Sequence, residues 1–167
     1  MYDELTEVDI RKMREEIDYR VRVLRPKLIE EVQTARAFGD LSENYEYKVA
    51  KQEKNRNESR IRYLERMIRT ARVISAASGA EEVGLFDKVT LFNEMLGREM
   101  TIQIVTTLRQ NALQGLVSKE SPVGKALLGH RVGDRVQVRV SDEMRYHVVI
   151  RAIEKGQDDA SMAISSY

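Results

Sequence analysis

The chain has 167 residues, a formal net charge of +1 and no cysteine. This length suffices for one or two domains with apolar cores, and the lack of cysteine excludes a disulfide framework, a thiolate metal site and a cysteine nucleophile. No run approaches eighteen apolar residues, and the acidic first residues do not resemble a signal peptide. We therefore expect a cytoplasmic protein without a membrane partner.

The first predicted element is a long helix over residues 7–37. Its apolar residues recur every three or four positions, which is the period of one helix face. Thr6 or Asp9 can cap its start, and Pro26 predicts a local bend because proline donates no backbone hydrogen bond. The predicted apolar stripe consists of Ile10, Met13, Ile17, Val21, Leu24, Leu28, Val32 and Ala35.

A second long helix is predicted over residues 43–74. The spacing between successive residues of its seam alternates between three and four positions. This is a heptad pattern, which predicts coiled-coil packing against the first helix. Lys54 and Asn57 are polar positions within this seam, which cost stability but fix the register. At 1.5 Å per residue each arm spans about 45 Å, and the short turn makes the arms antiparallel. The seam consists of Tyr47, Ala50, Lys54, Asn57, Ile61, Leu64, Ile68 and Ala71.

The turn between the two helices carries two acidic residues, Asp40 and Glu43. One interpretation is a capping box, in which Asp40 accepts the N–H three residues on and Glu43 reaches back. The other is a metal site, because carboxylates are ligands for Mg²⁺. Two carboxylates make only part of a magnesium shell, so a second macromolecule would have to supply the rest.

The second helix is rich in basic residues. Residues 47–72 contain nine lysines and arginines but only three glutamates. The pattern fits either a solvated coiled-coil face or an electrostatic strip for a phosphate backbone. The heptad places five of these residues outward, and they are the candidate RNA-binding residues: Lys48, Arg56, Arg62, Arg66 and Arg69.

From residue 85 onward the pattern changes to the alternation of β-strands. Ser121 and Pro122 followed by an apolar run and Gly129 predict one short helix. The fold class is therefore α+β, with an antiparallel helical hairpin and an antiparallel sheet domain. Strands are predicted around residues 89–92, 100–105, 135–140 and 145–150. The predicted domains are a hairpin at 1–76, a linker at 77–84, a sheet domain at 85–155 and a flexible tail at 156–167.

Residues 35–47 read Ala-Arg-Ala-Phe-Gly-Asp-Leu-Ser-Glu-Asn-Tyr-Glu-Tyr. This segment resembles the tip of the bacterial Gre transcript-cleavage factors of the GreA type. Residues 117–129, with their Ser-Pro pair, resemble a second segment of that family, and the resemblance spans about residues 5–155. Two stretches depart from the family pattern, because residues 106–114 are less acidic and the tail after residue 155 is longer.

The resemblance implies a transcription elongation factor that binds backtracked RNA polymerase. The hairpin would enter the secondary channel while the C-terminal domain, FKBP-like in fold, docks at its rim. Asp40 and Glu43 would help hold the second Mg²⁺ of the polymerase active centre and orient the attacking water. The factor would thus stimulate cleavage of the nascent RNA rather than catalyse alone. It would act as a monomer without a tightly bound cofactor, and its basic strip would lie near the nucleic acid of the elongation complex.

Two other functions remain open on the sequence. A secondary-channel regulator of RNA polymerase that does not stimulate cleavage would keep the architecture but change the acidic tip. An FKBP-like prolyl isomerase would rest on fold analogy alone, and the sheet domain has no tryptophan to line a proline pocket.

Overall fold

The computed structural model describes residues 3–39 and 43–166. They divide into two compact units, one within residues 10–71 and the other formed by residues 3–9 together with the chain from Arg72 onward. The described part of the chain has no helix that is both long and apolar enough to cross a membrane.

The first arm of the hairpin is helical from residue 7 to residue 36, but it is not uniform. It consists of α1 (Glu7–Tyr19), a π-helical turn (Arg20–Leu24) and α2 (Arg25–Arg36). Where the sequence predicted a bend at Pro26, the structure has this wide turn immediately before the proline. The Arg25 N–H reaches back five residues to the Arg20 carbonyl. This spacing relieves the clash that a proline ring makes with the carbonyl four residues earlier.

The start of α1 is capped by the threonine of the predicted pair. The Asp9 N–H donates to Thr6 Oγ1 at 3.3 Å, and Asp9 Oδ2 accepts the Thr6 N–H at 3.1 Å. This reciprocal pair is a capping box with aspartate in the third position.

The second arm is α3 (Tyr45–Thr70), which packs along α2. The predicted stripes are confirmed, because Met13 and Leu64 are completely buried and Leu28 and Ile61 are nearly so. Every other position of both predicted stripes within the helices is at least partly buried.

Polar contacts fix the register of the two arms. Asn57 is only 3% exposed, and its Oδ1 accepts from Arg20 Nη1 at 3.0 Å while its Nδ2 donates to the Arg20 carbonyl at 3.3 Å. Arg60 and Glu16 form a two-pronged ion pair, at 2.7 Å and 3.2 Å, and Arg20 Nε donates to the same carboxylate at 2.8 Å. The predicted role of Asn57 in setting the register therefore has a specific partner in the π-helical turn.

Burial alone would raise the pKa of the Glu16 carboxyl, but the hydrogen bonds from Arg60 and Arg20 outweigh it and lower that pKa. Further toward the tip, Arg25 and Glu58 form a second two-pronged pair, at 2.7 Å and 2.9 Å. Their hydrogen bond lowers the pKa of Glu58. Both carboxylates therefore stay charged at neutral pH, as ion pairing between the arms requires.

The described part of the second unit contains two sheets. The smaller is a two-stranded parallel sheet that joins β1 (Glu4–Leu5) to β2 (Arg72–Val73). The larger has five strands: β3 (Lys88–Asn93), β4 (Arg98–Val105), β5 (Leu116–Ser118), β6 (Arg135–Arg139) and β7 (Arg145–Glu154). Their order in the sheet is β5-β4-β3-β7-β6. Four of these strands are antiparallel as predicted, but β5 pairs with β4 in parallel, so the sheet is mixed.

The short helix predicted after Ser121 is present as α4 (Pro122–Leu127). Ser121 Oγ accepts the Gly124 N–H at 3.1 Å, which is the expected cap. The helix packs on the sheet through Leu127, which is completely buried. The core between them is apolar and includes Phe86, Leu91, Ile104, Val138 and Val148.

Residues 77–84, predicted as a linker, lie within the second unit. Val83 is 2% exposed, its N–H donates to the His130 carbonyl at 2.8 Å, and its carbonyl accepts from the Gly129 N–H at 2.9 Å. This segment is therefore attached to the residues that follow α4.

Residues 156–166, predicted as part of a flexible tail, make contacts with the second unit. Arg109 is completely buried and forms ion pairs with Asp9 at 2.6 Å and with Asp158 of the tail at 2.5 Å. The guanidinium also lies 5.1 Å from the centre of the Phe86 ring. Further along, the Ser165 N–H donates to the Leu108 carbonyl at 2.6 Å. Arg109 thus connects three distant segments of the chain.

The tail leaves the sheet at a position that requires glycine. A Cβ on Gly156 would lie 1.9 Å from the Phe86 carbonyl oxygen. Phe86 itself has a φ of 70°, which is unusual for a bulky residue. The neighbouring residues are also paired, since Lys155 Nζ forms an ion pair with Asp87 at 2.5 Å. The close approach of backbone to backbone explains why no side chain fits at residue 156.

Candidate functional site

The candidate site is the acidic end of the hairpin. Glu43 lies in a turn two residues before α3 begins, and its side chain is exposed. Asp40, its predicted partner, lies outside the described residues. The structure therefore places one of the two candidate ligands at an accessible position and does not describe the other.

The cap of α3 is Asn44, so the predicted capping box of Asp40 and Glu43 is wrong in the part that the structure describes. Asn44 Oδ1 accepts the Tyr47 N–H at 3.0 Å, and the Asn44 backbone is extended, with φ −79° and ψ 96°. A capping box would need Glu43 at the third helical position, but Glu43 precedes the cap. The Glu43 carboxylate is therefore not needed to cap this helix.

Asn44 also joins the two arms at this end of the hairpin. Its Nδ2 donates to the Ala35 carbonyl in the last turn of α2, at 2.7 Å. Nearby, the Arg36 guanidinium lies 5.8 Å from the centre of the Tyr47 ring. Gly39 ends the first arm with a φ of +138°, a conformation that side-chain-bearing residues rarely adopt. Asn44 was not among the predicted site residues, although asparagine before a helical pattern is a cap signal.

The electrostatics of this end favour negative charge. Glu43 and Glu46 lie at the N-terminus of a helix of 26 residues, where the helix dipole stabilises carboxylates. Among the described residues, no group of three or more His, Cys, Asp or Glu side chains could hold a metal ion. An exposed carboxylate supplies the hard oxygen ligand that Mg²⁺ prefers, so the described donors fit a shared magnesium ion only as part of its shell.

The five predicted outward residues of the basic strip are all exposed: Lys48, Arg56, Arg62, Arg66 and Arg69. Three of them make local contacts on α3. Arg56 pairs with Glu53 at 3.2 Å, Arg62 donates to Ser59 Oγ at 3.1 Å, and Arg66 lies over the Tyr63 ring. Such exposed contacts are weak, so these cations are accessible to a phosphate backbone.

Comparison with known proteins gives matches to both halves of the chain. Residues 4–73 match the family model described as transcription elongation factor, N-terminal, and residues 78–155 match the model described as transcription elongation factor, GreA/GreB, C-term. The chain therefore has the two domains of a transcription elongation factor, in the same order.

The sequence identity to two curated relatives agrees with this class. The chain is 37% identical to the transcription elongation factor GreA of Oenococcus oeni over 154 residues, which cover 92% of this chain and 95% of that one. It is 42% identical to GreA of Geobacillus kaustophilus, over 77% of this chain and 82% of that one. The crystal structure of GreA factor homolog 1 (Gfh1) of Thermus thermophilus is also similar, at 28% identity and a TM-score of 0.43, over 93% of this chain and 100% of that one.

The chain belongs to the GreA/GreB family of transcription elongation factors. As a member of this family it is a transcription elongation factor, and its partner is RNA polymerase.

Proposed function

We propose that this chain stimulates RNA polymerase to cleave the 3′ end of nascent RNA in backtracked complexes. The hairpin enters the secondary channel and carries Asp40 and Glu43 to the polymerase active centre. The sheet domain docks at the channel rim, and the factor acts in the bacterial cytoplasm as a monomer. The reaction belongs to the polymerase, because this chain contributes only part of a metal shell.

The position of Glu43 supports this proposal more than any other observation. Its carboxylate is exposed and directly precedes Asn44, which bonds to both arms of the hairpin. The Glu43 side chain is therefore attached next to a fixed backbone position, and its carboxylate does not cap α3. A carboxylate held in this way can be presented to a second macromolecule without the cost of fixing the backbone beside Asn44.

The role of each residue follows from its chemistry. Asp40 and Glu43 would each offer carboxylate oxygens to the magnesium ion and accept a hydrogen bond from the attacking water. When bound, Mg²⁺ lowers the pKa of water and stabilises the charge that develops on the phosphate. The exposed cations Lys48, Arg56 and Arg62 would offset the charge of the extruded RNA strand.

Substitution of the two carboxylates tests the proposal. Asp40→Asn and Glu43→Gln keep the size of each side chain and remove its negative charge. With either variant, the polymerase should cleave RNA in backtracked complexes with Mg²⁺ at a rate at least about tenfold lower than with wild type, equivalent to about 1.4 kcal/mol. Binding to polymerase and the helical circular dichroism signal should be unchanged.

Glu65→Gln is the matched control, because Glu65 is an exposed acid on the same arm and should leave cleavage unaltered. Undiminished cleavage by both tip variants would contradict the proposal. Wild-type protein that binds polymerase but leaves the RNA uncut would instead identify a regulator that does not stimulate cleavage.

A further inference from the structure

Two grooves run along opposite sides of α2 near the acidic end of the hairpin, each also lined by α3. The first, here called the acidic groove, has a volume of about 630 Å³, and its charged lining residues are four glutamates and one lysine. The second, the basic groove, has a volume of about 250 Å³ and is lined by Arg36, Lys51 and Lys54, with no acidic residue among its described lining. The hairpin is therefore polarised in charge around its axis, although the whole chain has a net charge of only +1.

The acidic groove has an apolar floor. Ala35 and Ala50 lie in it as small residues, which leaves the surface between the helices concave. Val49 is 39% exposed in the groove, and Phe38 and Tyr45 are 70% and 77% exposed at its end near the tip. Two large exposed aromatic side chains in one apolar depression are typical of an interaction surface.

The glutamates form the two rims of this floor. Glu30 and Glu31 stand on α2, and Glu46 and Glu53 stand on α3 one heptad apart. All four are exposed, so a bound segment would meet negative charge on both of its sides. The aromatic faces add to this preference, because the face of an aromatic ring attracts cations.

We propose that the acidic groove binds a cationic amphipathic helix of RNA polymerase. The apolar face of that helix would cover Ala50, Val49 and Phe38, as amphipathic helices do in other apolar grooves. Its lysine or arginine side chains would reach the glutamates of both rims. This inference rests on the proposed function, because it assumes that the tip of the hairpin lies inside the polymerase. The inference assigns a protein-binding role to the acidic groove, on the side of the hairpin opposite the basic groove.

Neutralising the rims tests the proposal. The triple variant Glu30→Gln, Glu31→Gln and Glu46→Gln keeps helix propensity and removes three charges. Its Kd for purified bacterial core RNA polymerase should rise about tenfold, since each exposed charge pair contributes a factor of about two to five. The salt dependence of binding should also become shallower. The double variant Glu30→Gln, Glu31→Gln separates affinity from cleavage, because both residues lie on α2 and Glu43 and Glu46 at the acidic end are untouched. Cleavage at a saturating concentration of this double variant should keep its wild-type rate.

The matched control is Glu15→Gln, Asp18→Asn and Glu65→Gln. These three residues are exposed acids of the same hairpin that do not line the groove, so the change in net charge is identical. Charge reversal at Glu30 and Glu46 to lysine should weaken binding beyond the neutral variant. Unfolding followed by circular dichroism verifies that the variants are folded.

The possible outcomes separate the two proposals. Equal affinity of the rim variant and wild type would overturn the groove inference while leaving the cleavage function standing. Equal losses in the rim and control variants would also overturn it, because net charge alone would then explain the effect. A wild-type chain that does not bind polymerase would overturn both proposals. Self-association that only the rim variant abolishes would identify a second copy as the occupant and overturn the assignment to polymerase.

Discussion

Both units bury charged side chains, but the buried ion pairs connect different kinds of segments in each unit. In the hairpin, polar and charged residues are buried between the two arms, where Asn57 and Arg60 are 3% and 5% exposed. In the second unit the core of the sheet is apolar, and the side chain of Arg109 has no exposed surface. The ion pairs of the hairpin link two neighbouring helices, whereas Arg109 pairs with Asp9, which lies 100 positions away in the chain.

The difference shows what each kind of contact specifies. Two antiparallel helices with apolar seams alone can slide by a heptad, and directional hydrogen bonds remove this freedom. A sheet core already has its register from the strand pairing, so the buried arginine has another task. It holds the start of α1 and the tail to the segment that follows β4.

Removal of the buried cation should have the largest effect on stability. Arg109→Ala leaves the Asp9 and Asp158 carboxylates without their partner, and breaking a buried pair in this way costs about 3–5 kcal/mol. Urea unfolding measured by circular dichroism should give this loss for the second unit. Arg139→Ala, which removes an exposed ion pair with Asp142, should cost less than about 1 kcal/mol. Similar losses for the two variants would mean that the burial of Arg109 does not matter.

Removal of an ion pair between the two arms of the hairpin should have an intermediate effect on stability. Arg60→Ala should destabilise the hairpin by about 2 kcal/mol, since hydrogen bonds to charged groups contribute about 1.5–3 kcal/mol. Combination with Glu16→Ala in a double-mutant cycle should give a coupling energy of about 1–2 kcal/mol. Strict additivity of the two substitutions would show that the pair does not contribute as a pair.

Loss of the cap should have the smallest effect on stability. Asn44→Ala removes a cap and a bond between the arms, which should cost about 1 kcal/mol. Because Glu43 directly precedes Asn44, the variant should also lower cleavage while leaving polymerase binding intact. Asn44→Asp is the control, since aspartate restores the bond to the Tyr47 N–H but cannot donate to the Ala35 carbonyl. Wild-type cleavage by Asn44→Ala would argue against a positioning role.

Periodic patterns allowed much of the fold to be predicted from the sequence. The stripe that includes Met13 and Leu28 is buried, and four of the five strands of the large sheet lie close to their predicted positions. Hydrophobic period is a strong signal over long segments. The Ser121 cap with Pro122 at the first helical position was also predictable, because it depends only on neighbouring residues.

Features that depend on distant residues could not be predicted. Arg109 lies in a polar loop sequence, so nothing local indicates that Asp9 and Asp158 surround it. Strand β5 has three residues and pairs in parallel, which is too short to give an alternating pattern. At the candidate site, the capping-box spacing of Asp40 and Glu43 competes with the cap signal of Asn44, and the observed helix start decides between them.

The π-helical turn before Pro26 has a consequence for how length is measured along the first arm. A single turn of this kind holds one more residue than an α-helical turn spanning the same part of the axis. Counting residues across it therefore overestimates the axial distance by about 1.5 Å. A deletion within residues 20–24, made together with replacement of the proline, would preserve the reach of the rod although its sequence is shorter. The number of residues in the first arm therefore does not by itself give the axial length of that arm.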